Sequence, residues 1–249
     1  MSVLLEALLN TLPSGWRPTR LYVGHNWTLS IAQNRAGQLQ AGLAATPAPE
    51  IVAAQTRFVA GASQPAGVDA LTLAQGVLSG NPVEAAVGLA TINALLSPPP
   101  ALLTNLDAAE WLMTHGQGRR VALVGHFPFI EELKPALAHL WVLELSPCPG
   151  EYPAEQAPEI IPQAEVVAIT SSSLINHTLA GLLTLVSPQA KVMLLGPSTP
   201  LTPVLFQFGI DLLSGVQVVD IEAVLASVAS PANFQKMKGV RRVTMTKTE

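Results

Sequence analysis

Cysteine is almost absent from this chain, with Cys148 alone among 249 residues. An intramolecular disulfide is thereby excluded, and so is a closed structural zinc site built on paired thiolates. Cys148 lies in Pro147-Cys148-Pro149-Gly150, with no basic neighbour to lower its pKa, so it does not read as a catalytic thiol. Charge is scarce as well: 12% of residues are charged and the formal net charge is −4. No basic field invites nucleic acid. Its one basic concentration, Lys236, Lys238, Arg241, Arg242 and Lys247, reads as a solvated end. Also missing is any unbroken apolar span. Val166–Ala190 and Val192–Ile210 are uncharged, but serines, Asn176 and His177 interrupt the first and prolines the second, which argues against a membrane helix. Met1–Leu12 carries Glu6 and has no basic n-region of a secretory signal. A cytoplasmic location and a homo-oligomer, with part of the apolar excess in an interface, are expected.

Several catalytic signatures are missing too. The chain has no G-x-S-x-G, no H-x-x-x-H among His25, His115, His126, His139 and His177, and no G-x-G-x-x-G. After Gly125-His126-Phe127-Pro128, Phe127 and Ile130 stand where a dinucleotide pyrophosphate needs glycine, and Glu131 and Glu132 follow in the first turn. Bound NAD is therefore not expected. Glu144, about twenty residues on at the end of the next strand, leaves room for a nucleoside-like or heteroaromatic ligand held with Phe127. It reads equally as a solvated glutamate.

What is present divides at Ser97-Pro98-Pro99-Pro100, a stiff extended connector. Residues 1–98 read as an α+β domain. It comprises a helix from Val3 to Leu12 and strands over Arg20–Val23, Trp27–Ala32 and Gln38–Ala44. Helices follow over Ala70–Leu78 and from Pro82 to about Leu96, the last opened by Asn81 and Glu84. Residues 99–249 alternate: helix Leu106–His115, strand Arg120–Gly125, helix Pro128–Leu137, strands Leu140–Leu145 and Val166–Thr170, helix Leu174–Val186, strands Lys191–Leu195 and Gly215–Val219, helix Ile221–Val228. Alternation implies right-handed crossovers and a mainly parallel sheet with helices on both faces, an α/β fold.

In such a sheet ligands bind beyond the carboxyl ends of the strands. Two hydroxyl-rich turns stand there. Thr170-Ser171-Ser172-Ser173, followed by Asn176 and His177, exceeds what helix capping requires. Gly196-Pro197-Ser198-Thr199-Pro200 joins a permissive glycine to a rigid turn, whose N–H groups and hydroxyls suit an anionic group. His126 and His177 stand near predicted strand ends, as an acid/base or metal pair or as polar residues at a pocket rim. Asn93, on an almost wholly apolar helix, either satisfies a backbone group or reaches across the boundary into the pocket.

Together these stretches resemble the putative heavy-metal chelation family, whose function is unknown. The matching residues are Gly42-Leu43-Ala44, Gly88-Leu89-Ala90 with Asn93, Gly125-His126-Phe127-Pro128, Leu143-Glu144, Pro149-Gly150, Ile169-Thr170 with Asn176 and Thr178, and Gly196-Pro197-Ser198-Thr199-Pro200 with Gly209 and Gly215. Glu165, where the family usually has aspartate, and Ser230-Pro231-Ala232-Asn233, in place of a glycine-rich stretch, depart from the pattern. The resemblance implies an enolase-N-terminal-like domain followed by a Rossmann-like domain, with a site at their junction. It further implies a small polar heteroaromatic or metal-chelating ligand (pterin-, flavin- or siderophore-like) and its condensation or hydrolysis. Alternatives are a carrier or sensor of a metal–ligand complex and a methyltransferase-like nucleoside-binding protein. The expected ligand set is Asn93, Gly125, His126, Phe127, Pro128, Glu144, Thr170, Ser171, Asn176, Gly196, Pro197, Ser198 and Thr199, with His126, His177 or Glu144 as candidates for proton transfer. The sequence specifies no cofactor and no metal ligands.

Overall fold

A computed structural model describes residues 3–47, 61–63, 67–230 and 234–247. After helix α1 (Val3–Leu9), strands β1 (Arg17–Val23), β2 (Trp27–Gln33) and β3 (Leu39–Ala45) form an antiparallel meander, and the short β4 (Gly61–Ser63) pairs with the free side of β1. Asn34 Oδ1 accepts the N–H groups of Ala36 and Gln38 and closes the turn between β2 and β3.

Helix α2 (Ala70–Ala74) is capped by Asp69 and tightens into a 3-10 turn over Gln75–Leu78. Helix α3 (Pro82–Leu95) begins as its sequence dictates, with Asn81 Oδ1 accepting the Val83 and Glu84 N–H groups and Pro82 at the first helical position. It is buried nearly all round, as an apolar helix without a polar face must be. Two glycines let backbones close on it. A Cβ on Gly42 of β3 would lie 2.1 Å from the Ala94 nitrogen, and one on Gly88 would lie 2.0 Å from the Val77 nitrogen.

The second sheet has eight strands: β5 (Leu103–Thr104), β6 (Arg120–Val124), β7 (His139–Glu144), β8 (Tyr152–Pro153), β9 (Val166–Thr170), β10 (Lys191–Leu195), β11 (Leu212–Val218) and β12 (Val240–Thr246), ordered β5-β12-β11-β10-β9-β6-β7-β8. From β11 to β8 all neighbours are parallel; β12 and β5 join antiparallel. The chain leaves β6 for β7 on one side and returns at β9 on the other. That reversal is the switch point of a doubly wound sheet.

Strand residues alternate between the two faces. Val121, Leu123, Val142, Val166, Ala168 and Met193 pack with Trp111 and Leu112 of α4 (Ala108–Gly116) and with Ile130 and Leu133 of α5 (Ile130–Leu133). Ala122, Leu143, Val167, Ile169, Val192 and Leu194 share one apolar cluster with Leu4 and Leu8 of α1 and with Ala85 and Leu89 of α3. That cluster also takes in Ala157, Ile160, Leu179 and Leu205 from the connections between the strands, so the N-terminal part of the chain shares this side of the sheet with them.

Several expected elements differ. No continuous helix runs over Leu174–Val186. A 3-10 turn over Ser171–Leu174 ends in a kink, and helix α7 spans only Leu179–Thr184. Asn176 Oδ1 takes both the N–H and the hydroxyl of Thr178, and His177 is left-handed at φ 61°. Side chains here compete with the helix for its backbone. The helix expected over Pro128–Leu137 shrinks to α5 and a 3-10 turn at Lys134–Ala136, because Pro135 has no N–H to give. The strand expected to start at Gly215 starts at Leu212.

The basic side chains Lys236, Lys238, Arg241, Arg242 and Lys247 are exposed as expected, but the segment that carries two of them is strand β12 and not an unstructured end. In β12 Val243, Thr244 and Met245 are buried, while Arg241 donates to Gln217 and Arg242 lies over the Phe234 ring. Helices α6 (Ala157–Ile160) and α8 (Ile221–Val228) complete the layers. Glu165, the departure before β9, accepts the N–H and guanidinium of Arg120, and that contact lowers its pKa. Of the other departure, Ser230–Asn233, residues 231–233 lie outside the described residues.

Candidate functional site

The turn after β10 joins the two sheets. Ser198 Oγ accepts the Ala45 N–H at the end of β3 at 2.8 Å. Asn93 Nδ2 donates to Leu43 O at 2.8 Å and to Ser198 O at 3.0 Å, so one amide grips the backbone of both parts of the chain. Two carbonyl partners fix the orientation of this amide, since only its NH₂ can donate to them. Asn93 Oδ1 must therefore point the other way. Thr199 donates its N–H to Gly196 O within the turn, and its backbone presses against β11, where a Cβ on Gly215 would come 3.0 Å from Thr199 O.

Beside this junction lies a cavity of about 330 Å³. Its walls come from β3 (Leu39, Gln40, Ala41), the end of α3 (Asn93, Ala94), the connector (Leu96, Ser97, Pro98), the turn (Thr199, Leu201), β11 with Val219, and Ile221 of α8. Four buried side-chain polar atoms among the described residues have no hydrogen-bond partner, and three of them belong to residues of this wall: Asn93 Oδ1, Thr199 Oγ1 and Gln40 Oε1. Buried polar groups are normally paired, and leaving one unpaired costs about 1–3 kcal/mol. Their concentration at one cavity is the clearest chemical signal in the molecule. No Asp, Glu, Lys, Arg, His or Cys is among the described residues of the wall. Metal ions that take carboxylate, imidazole or thiolate ligands find none there. The wall does not fit a bare heavy-metal ion.

A second polar edge lies at the switch point. Gly125, at φ 111°, ends β6 so close to β9 that a Cβ would sit 2.9 Å from Thr170 Cβ and 3.4 Å from Phe127 Cζ. Phe127 stacks on Phe129 with centroids 5.4 Å apart. Gly196, at φ 121°, approaches Ser171, whose Oγ would lie 2.9 Å from a Cβ there. Thr170 Oγ1 accepts the Ser172 N–H, and Ser173 Oγ donates to Thr170 O. Exposed His126 pairs through Nδ1 with Glu151 Oε1 at 2.6 Å, while Glu151 Oε2 accepts the Cys148 N–H at 2.8 Å. That backbone N–H first, and His126 second, hold the Glu151 carboxyl below its ordinary value. An ionised carboxylate only accepts, so His126 donates from Nδ1 and leaves Nε2 outward.

The structure brings Asn93, Ser198 and Thr199 together, and separately gathers Gly125, Phe127, Thr170, Ser171 and Gly196. Pro197 is half-buried in the second hydroxyl-rich turn, and Pro128 is exposed after Phe127. Glu144 accepts the N–H of its neighbour Leu145. His126 and His177 do not pair: His177 Nε2 donates to Val77 O at 2.8 Å. Asn176 is exposed and engaged with Thr178. No group of three or more His, Cys, Asp or Glu among the described residues could hold a metal ion. Sequence reasoning passed over Gln40 and Glu151. Gln40 looks like any polar strand residue, whereas Glu151 after a Pro-Gly turn carried a faint loop-closing signal.

Fold and site define an α/β protein with an antiparallel sheet laid against a doubly wound one and a polar-lined cavity where they meet. Two family models, both described as putative heavy-metal chelation, match residues 5–96 and 107–247. The chain belongs to this putative heavy-metal chelation family. A solved structure of a protein with unknown function from Desulfitobacterium hafniense is 31% identical, with a TM-score of 0.83, over 98% of this chain and 97% of that one. A second, from Pyrococcus horikoshii, also of unknown function, is 20% identical with a TM-score of 0.81 over 98% and 100%. An uncharacterised protein of Methanocaldococcus jannaschii is 26% identical over 167 residues, and the chain spans 64% of that relative's length. Among the described residues no helix is long and apolar enough to cross a membrane.

Proposed function

We propose that this protein binds a small polar molecule, heteroaromatic or metal-chelating, in the cavity between two domains formed by residues 1–98 and 99–249. The supporting observation is a cavity of about 330 Å³ whose wall residues Asn93, Thr199 and Gln40 each carry a buried oxygen without a partner. That volume lies at the lower end of the range for small-molecule sites. Family membership supports a role in handling heavy metals, and the uncharged wall favours a chelating molecule over a bare ion as the object of recognition. Asn93 grips both domains and is one of the residues lining the cavity, so a ligand seated there also braces the junction. The function is that of a carrier or sensor of such a molecule.

Thermal unfolding against a panel of free and metal-loaded chelators tests the reading, because a ligand stabilises the state it binds. Stabilisation by a member of the panel, lost in Asn93→Ala, is expected. Equal stabilisation of both proteins would place binding elsewhere.

The His126–Glu151 pair favours a second reading, in which a ligand lies in the switch-point crevice and His126 Nε2 transfers a proton. Histidine held by a carboxylate through Nδ1 has the orientation of a general base. Here Phe127, Thr170 and Ser171 would flank the ligand, and the protein would be an enzyme. Stabilisation lost in His126→Ala but kept in Asn93→Ala would select this reading.

A further inference from the structure

Resting on the reading that the cavity beside the junction is the binding site, we infer the class of its occupant: a short peptide-like molecule whose amide groups pair with an open strand edge. In an antiparallel ladder, residues that exchange hydrogen bonds with the partner strand alternate with residues whose N–H and C=O point away from it. At the two ends of β3, Asn34 N–H donates to Gln38 O and Thr46 N–H to Asn26 O, and the β2–β3 register between them is unbroken. Leu39, Ala41, Leu43 and Ala45 therefore turn their main-chain groups away from β2. Two of these residues are engaged across the junction: Leu43 O accepts the Asn93 amide, and Ala45 N–H donates to Ser198 Oγ. Among the described residues no strand pairs with β3 on that side. Leu39 and Ala41 line the cavity, the first exposed and the second half-buried.

A second wall repeats the arrangement. Val219 N–H donates to Gly239 O and Lys247 N–H to Asp211 O, so Val216 and Val218 of β11 face away from β12. β10, the neighbour on that side, stops at Leu195 opposite Ser214. The turn at Ser198 and Thr199 lies against both strands, at Ala45 and at Gly215. Farther along, Ala41 and Val218 line the cavity instead. An open edge offers donors and acceptors in the alternation that another extended backbone matches, and those main-chain bonds supply the affinity when a segment adds to it. This open stretch is short. The turn closed by Asn34 bounds it before Leu39, and Asn93 and Ser198 occupy the edge beyond Ala41. Its two free positions lie about 7 Å apart on an extended strand, the span of roughly two or three residues. The occupant is therefore a short amide-backboned molecule and not the tail of another protein.

The test titrates acetyl-Ala-Ala-Ala-amide, and the same peptide N-methylated at all three alanines, into the isotope-labelled full chain while backbone amide signals are followed by NMR. The unmethylated peptide is expected to move the Leu39 and Ala41 amides most, and methylation to weaken binding at least tenfold. Ala41→Pro deletes the outward N–H without touching the β2 ladder, a position at which an edge strand accepts proline. It is expected to bind at least tenfold more weakly than wild type, whereas Ala41→Ser, which keeps the N–H, binds as wild type does. Circular dichroism melts check that both variants fold, and the comparison of the two peptides on wild type needs neither variant. Equal binding of the methylated peptide, shifts centred on other amides, or undiminished binding to folded Ala41→Pro overturns the edge assignment. A spectrum that neither peptide changes overturns the peptide-like class, and the chelator panel against Asn93→Ala then decides separately whether the cavity is the site.

Discussion

The two polar edges of the parallel sheet carry similar residues and end in opposite states. At the switch point the groups are largely partnered: Thr170 and Ser173 serve the 3-10 turn, Asn176 binds Thr178, and His126 binds Glu151. At the junction beyond β10 and β11, Asn93, Thr199 and Gln40 keep buried oxygens without partners. The difference lies in what the backbone demands. After β9 a helical turn begins at once and claims the nearby hydroxyls. After β10 no helical turn forms until Pro203, and the intervening turn docks on β3 instead. Ser198 is taken up in the docking, and Thr199 is left with a buried hydroxyl that has no partner. Richness in hydroxyls therefore does not distinguish the two edges; incomplete pairing does.

Breaking the packing of α3 should give the largest effect. Gly88→Ala forces a Cβ to within 2.0 Å of the Val77 backbone nitrogen, and neither backbone can yield easily. A loss of about 3 kcal/mol in urea unfolding is expected, with ligand binding lost as the α3 wall shifts. Next comes Asn93→Ala, which leaves Leu43 O and Ser198 O without their donor. About 2 kcal/mol should disappear by the same measurement. Thr199→Val has the opposite sign. Removing a buried hydroxyl that has no partner should raise the stability of the ligand-free protein by about 1 kcal/mol, read by denaturant titration. A destabilised Thr199→Val would mean that the hydroxyl is already satisfied.

The smallest effect sharpens the other side of the comparison. Glu151 has a lowered pKa, so its contribution to stability is present above the ordinary value of 4.5 and fades as pH falls through the lower folded-state value. Glu151→Gln should therefore unfold at a lower temperature than wild type at neutral pH, and the gap should close in acid. A gap independent of pH would assign the effect to packing.

Much of the fold was legible before any coordinates. Asn81-Pro82-Val83-Glu84 announced α3 because capping is local, and Val166–Thr170 and Lys191–Leu195 match β9 and β10 because buried parallel strands are continuous apolar runs. β12 escaped notice because its outward residues include Arg241 and Arg242, which disguise a half-buried strand as a tail. The break at Asn176 and His177 was invisible for a different reason: it depends on side chains winning a local competition that composition cannot score. The candidate site was legible only in pieces. Asn93 stood out as an amide on an apolar helix, yet the role of Gln40 depends on the distant turn and β11 that complete the same wall.

Methyl-resolved NMR during titration with the member of the chelator panel that stabilises the protein asks most directly where a ligand goes. The account predicts the largest shifts at Leu201, Val216 and Ile221, which line the cavity, with Val124 and Ile130 beside the switch point unmoved. Shifts concentrated at Val124 and Ile130 instead would contradict it.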